Sequence, residues 1–201
     1  MLELPISVQV SLWVSAAYAG ALPVDEALRR ACPDTDLVNG RTERFHTWAD
    51  LGQHVVLVAL PRPGIPGLLP RGSAVLAAAT EAGQCVFVPG LGDVLVPTVS
   101  TSPSGSSAVT HIRWAAYAGD PLPGRHLDHL DPDVIEAHLA DEIGSVLARS
   151  WPVDIDLPGM LTPRTRDMIV LAAQVGSPLL LAQATCLAAL QLAGIRDATL
   201  E

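Results

Sequence analysis

Apolar and polar positions alternate in distinct registers along the chain, and the registers predict the elements. From Leu4 to Val24 there is no charged residue. Ile6, Val8, Val10, Leu12 and Val14 alternate there with Ser7, Gln9, Ser11 and Trp13. That segment reads as a core-packed strand or helix. Ala17-Tyr18-Ala19 looks like a signal-peptidase site, but Glu3 without any Arg before the apolar run reverses the charge of a secretory signal, so no cleaved leader is expected. Pro23-Val24-Asp25-Glu26 starts a short helix running to Cys32, and Thr47-Trp48-Ala49-Asp50 resembles a capping box on another short turn. The first 52 residues are thus expected to be mainly helical.

The pattern then changes. Val55 to Leu60 is a continuous apolar run, which predicts a buried strand over His54–Leu60. Pro61 to Gly67 is a stiff connecting loop. Ser73 is expected to cap a helix over Ala74–Ala82 that Gly83 ends, and Gln84–Val88 is a second strand, which makes a parallel crossover conceivable. Gly90-Leu91-Gly92 is followed by strand-like sequence and not by a helix start, so it reads as a hairpin turn and not as a dinucleotide fingerprint. Strands over Asp93–Val99 and Ala108–Tyr117 flank a serine-rich tip with no nucleophile elbow. In the second of these strands Thr110, Ile112 and Trp114 face one side, and His111, Arg113 and Tyr117 the other.

The last third is helical. Asp131-Pro132 opens an amphipathic helix with Ile135, Leu139, Ile143, Val146 and Leu147 on its apolar stripe, and Trp151-Pro152 is expected to staple it to the core. Met168 to Ile195 is free of charge and long enough to span a bilayer. Gly176-Ser177-Pro178 divides it by a helix stop, a cap and a proline at the first helical position, so two buried helices are expected rather than a membrane span. Together these elements predict one α+β domain over residues 1–201. It has a mostly antiparallel sheet of about four strands within residues 54–117, flanking helices, and a C-terminal helical layer over residues 131–195 packed on the sheet.

Composition narrows what the domain could do. Hydrophobic residues make up 49% and charged residues 16% of the 201 residues, which suits a large core, a subunit interface or membrane contact. The formal charge of −9 argues against nucleic acid. All 12 basic residues are Arg, which removes any mechanism that needs a lysine amine. Cys32, Cys85 and Cys186 form no C-x-x-C pair and fit a reducing cytoplasm.

In order along the chain, Gly64-Ile65-Pro66-Gly67-Leu68, Ala77-Ala78-Ala79, Glu81-Ala82-Gly83, Gly90-Leu91-Gly92 with Val96-Pro97, and Trp114 in a later strand resemble an uncharacterised family of high-GC Gram-positive (actinobacterial) proteins. The similarity runs from Gly64 to Arg149, and again from Pro163 onward. It implies a bacterial cytoplasmic protein and no particular mechanism.

Two patches could carry chemistry. His126, Asp128 and His129 lie in the segment His126–Asp133, dense enough in imidazole and carboxylate for a divalent ion. In the same segment Asp131 and Asp133 also suit a helix cap and its dipole. His111, Arg113 and Tyr117 could wall a polar pocket, with Arg113 gripping a carboxylate or phosphate, or could simply face solvent. No cofactor is implied. The leading expectation is a non-enzymatic interaction or regulatory protein, a homodimer or a binder of a protein partner through its apolar C-terminal helices. The alternative is a small-molecule- or metal-binding protein or enzyme with a pocket near His111, Arg113 and the His126–Asp133 loop.

Overall fold

Strands whose successive side chains are all apolar must be covered on both faces, and the fold does this with helices on each side of one sheet. The computed structural model describes residues 4–33, 37–104, 107–146 and 155–195. The helices are α1 (Ile6–Tyr18), α2 (Val24–Ala31), α3 (Glu43–Asp50), α4 (Ser73–Ala82), α5 (Pro132–Val146), α6 (Pro163–Val175) and α7 (Pro178–Leu192). The strands are β1 (Leu37–Gly40), β2 (Leu57–Ala59), β3 (Cys85–Val88), β4 (Asp93–Ser104) and β5 (Ser107–Ala118), in the spatial order β1-β5-β4-β3-β2. The β2–β3, β3–β4 and β4–β5 pairs are antiparallel, and β1 alone runs parallel, to β5.

Side-chain alternation divides the core in two. Phe87, Val94 and Val96 face a cluster with α4, α5, α6 and α7. Val86, Val88, Leu95, Ile112 and Trp114 face a second cluster with Ala27 and Ala31 of α2 and Phe45 and Trp48 of α3. Phe45 stands edge-on to both Trp48 and Trp114, with ring centroids 5.3 and 5.7 Å away. Within this second cluster Trp48 Nε1 donates to Asp93 Oδ2 at 2.9 Å, so the indole is anchored at the start of β4.

The N-terminal apolar segment is a helix, and it belongs to both clusters. At helical spacing it presents three stripes. Leu4, Val8, Leu12 and Ala16 enter the first cluster, while Val10, Trp13 and Val14 enter the second. Ser7, Ser11 and Ser15 form the third, fully buried stripe. Ser11 Oγ donates to Val56 O at 2.6 Å, and Ser15 Oγ both accepts from Val56 N–H at 3.0 Å and reaches Val56 O at 3.2 Å. Val56 leads into β2, the last strand of the sheet, and the Cys186 thiol of α7 donates to Val58 O at 3.2 Å on that strand. Side chains thus meet the backbone of Val56 and Val58 along this edge.

The α+β architecture, the antiparallel core of the sheet and the C-terminal helical layer agree with the sequence pattern, and four details differ. A fifth strand, β1, lies among residues expected to be helical. The β2–β3 pair is antiparallel, so α4 is not a parallel crossover. Helix α4 starts at Ser73 itself, with Gly72 as its N-cap and no side-chain cap. Thr47–Asp50 closes α3 and opens nothing; the Thr47 hydroxyl donates back to Glu43 O. Leu147 and the Trp151-Pro152 staple lie outside the described residues.

The division of the last apolar stretch is as expected. Thr162 caps α6, its side chain accepting from Thr165 N–H at 3.2 Å, and Gly176 ends α6 with φ 70°. Pro178 opens α7, although the Ser177 side chain makes no cap hydrogen bond. Among the described residues no helix is long and apolar enough to cross a membrane.

Candidate functional site

Three loops meet beyond one end of the sheet: the approach to α4, the β3–β4 turn and the chain leaving β5. Asp120 N–H donates to Arg71 O at 2.8 Å, Gly119 N–H to Gly92 O at 2.9 Å, and Leu122 N–H to Pro89 O at 2.9 Å. The approach is close enough to need glycine. A Cβ on Gly92, whose φ is +66°, would stand 2.4 Å from Gly119 O, and one on Gly119 would stand 2.9 Å from Arg71 O.

These pinned loops enclose an open groove of about 700 Å³. One wall is Pro66 to Ser73 with Leu76 of α4, and the other is Asp120 to Pro123 with Arg125, His126 and His129. Leu68, Leu69, Leu122 and four prolines supply apolar lining. Two arginines, Arg71 and Arg125, and two histidines, His126 and His129, share the rim with a single acid, Asp120. Proline fixes φ and carries no N–H, so the walls are stiff and poor in donors. Polar contacts in the groove therefore come from the rim side chains and from the start of α4.

The groove takes in part of each sequence-derived site and rejects the rest. His126 and His129 line it, on a 3₁₀ turn (Gly124–His126) and the loop that follows, but Asp128 does not. Among the described residues no three His, Cys, Asp or Glu side chains come together as metal ligands would. His126, Asp128 and His129 are thus not brought together in this arrangement. Asp131 does serve as a cap, its Oδ1 accepting from Asp133 N–H at 2.9 Å. Asp133 and Glu136 turn to Arg164 of α6, which holds the Glu136 carboxylate through two nitrogens at 2.6 and 2.9 Å. That grip keeps the Glu136 carboxyl below its ordinary range.

His111, Arg113 and Tyr117 do lie on the opposite side of β5 from the buried Ile112 and Trp114. They do not converge. His111 Nε2 pairs with Ser102 Oγ at 3.0 Å, Arg113 is exposed, and Tyr117 packs against the first core cluster. None of the three lines the groove. The arginines that do, Arg71 and Arg125, carried no motif in the sequence. Their only signal is position, each closing a proline-rich segment that the fold brings opposite the other.

The three thiols offer no chemistry. Burial pushes Cys32, Cys85 and Cys186 up to about 12, which leaves them protonated and unreactive near neutrality. Helix α7, whose apolar sequence suggested a partner surface, is buried within the chain along Leu180–Ala182 and Ala184–Leu190. That burial accounts for the apolar sequence of α7 within the chain itself.

The model of the Rv1486c-like protein, N-terminal domain, matches residues 7–129, more than half of the chain. The chain belongs to this family. The match starts earlier than the resemblance read from Gly64 and ends before α5, so it includes every residue lining the groove and leaves α5, α6 and α7 outside. No curated protein and no solved structure matches the chain.

Proposed function

We propose that this is a small-molecule-binding protein of the actinobacterial cytoplasm, with its ligand seated in the groove between the Pro66–Leu76 and Asp120–His129 segments. The groove itself carries this reading. Its volume of about 700 Å³ is in the range that accommodates a drug-sized ligand, with apolar walls and a few polar groups at one rim. The walls are held by backbone hydrogen bonds among three loops and by glycines with no room for a side chain, so little ordering is left for a ligand to bring about. Three buried thiols with no disulfide are in keeping with a reducing compartment.

The test uses N-phenyl-1-naphthylamine, an uncharged apolar fluorophore. Saturable binding at one site per chain is expected, and Leu76→Trp should abolish it by filling the groove from an exposed position on α4. Binding that does not saturate, or that Leu76→Trp leaves intact, would rule the groove out.

A further inference from the structure

We infer that the ligand of this groove is an amphipathic anion: an apolar body that ends in a carboxylate, sulfonate or phosphate held by the Arg71, Arg125, His126 and His129 rim. The inference rests on the groove being a ligand site, and goes beyond it by naming the charge. The chain as a whole carries −9, so a locally basic rim runs against its average. Half of the described arginines are matched with acids, while Arg62, Arg113 and Arg166, away from the groove, are not. Arg29 and Arg30 pair with Glu26, Arg41 with Glu43, Arg44 with Asp93, and Arg164 with Asp133 and Glu136. Arg71 and Arg125 form no ion pair with any described residue, although Asp120 stands on the same rim.

The surroundings of these cations favour an anion in two ways. A guanidinium presents several donors in a plane and suits an oxyanion. Helix α4 begins at the rim with Gly72 as its N-cap and no capping side chain, so the positive end of its dipole lies in the same region. The leucines and prolines below the rim then hold the apolar body, and the charged end remains at the mouth.

The experiment compares two probes with the same ring system. 1-Anilinonaphthalene-8-sulfonate carries a sulfonate that N-phenyl-1-naphthylamine lacks. In the wild-type protein the sulfonate probe should bind the tighter of the two, and added salt should weaken it alone. Arg71→Gln combined with Arg125→Gln changes two exposed side chains. It should cost the sulfonate probe about three- to tenfold in affinity, the range for partly exposed charge-assisted contacts, and leave the neutral probe unchanged. Equal affinities in the wild type, or equal losses in the variant, would overturn the anion inference and leave the groove as a ligand site. If neither probe binds, or Leu76→Trp blocks neither, the ligand site and the anion inference both fall.

Discussion

The close contact of three loops depends on single residues without side chains. Gly92 has φ +66° and no space for a Cβ, whereas Gly64 has φ +80° and nothing within 4 Å of the position a Cβ would take. Gly92→Ala must therefore move backbone as well as accept an unfavourable φ, and should destabilise by about 2–3 kcal/mol. Gly64→Ala incurs only the conformational cost, about 1 kcal/mol. Urea unfolding of both variants measures the difference, and equal midpoints would mean the loops relax freely. The thiols give a second residue-level expectation. Cys85 and Cys186 have ordinary values of 9.0, and burial raises both to about 12. An unfolded chain loses these protons near 9 while the folded chain keeps them, so unfolding releases protons across pH 9–12. Their contribution is complete below pH 9 and is lost as pH rises toward 12. Burial of Tyr18 acts in the same direction. Denaturation midpoints should fall between pH 7.5 and 10.5, and thiol reagents at pH 7.5 should label the chain only after unfolding.

At the scale of elements, α1 shows how a helix can stand in for a strand. Its serines at i, i+4 and i+8 follow one line down the helix, and the second and third of them meet the backbone of Val56. Ser15→Ala removes the acceptor of Val56 N–H, while Ser11 still serves Val56 O, and should cost about 1–3 kcal/mol. Ser7 supplies the control, because its Oγ is buried with no partner among the described residues and Ser7→Ala should be neutral or stabilising. Thermal unfolding of the two variants decides this, and a Ser7→Ala loss equal to that of Ser15→Ala would contradict the role given to Ser15. The same helix marks a limit of what is legible from pattern. A helix with two apolar stripes and a narrow buried serine line between them has no broad polar face, so Ile6 to Val14 mimics a strand. Strand β1 was invisible for the opposite reason. Leu37-Val38-Asn39-Gly40 has too little apolar sequence to signal a strand, and Gly40 fits there because a Cβ would stand 2.3 Å from Trp114 O. By contrast, Gly176 and Pro178 act locally, and the boundary between α6 and α7 could be read directly. The groove belongs to neither case. Its histidines stood out in sequence, but Arg71 and Arg125 lie more than fifty positions apart and became neighbours only through the loop contacts between Gly92, Gly119 and Asp120.

For the whole molecule the question is where the apolar surface of α7 is buried. The helix packs between α1, α6 and β2, and its Cys186 thiol reaches the edge strand, so α7 belongs to the same core as the family-matched residues 7–129 although it lies outside them. Leu187, 2% exposed, is among its innermost residues, while Leu179 at the helix start is 41% exposed. The two positions separate a core helix from an association surface. If α7 belongs to the core, Leu187→Asp places an unpaired charge there and should unfold the chain or destabilise it by well over about 3 kcal/mol. Leu179→Glu should then change stability by no more than about 0.5 kcal/mol. If α7 were instead a surface between subunits, Leu187→Asp would yield a folded chain of half the mass. Sedimentation of wild type and variant, with far-ultraviolet circular dichroism on the same samples, distinguishes these results. An unfolded Leu187→Asp beside a folded, unaltered Leu179→Glu assigns α7 to the core.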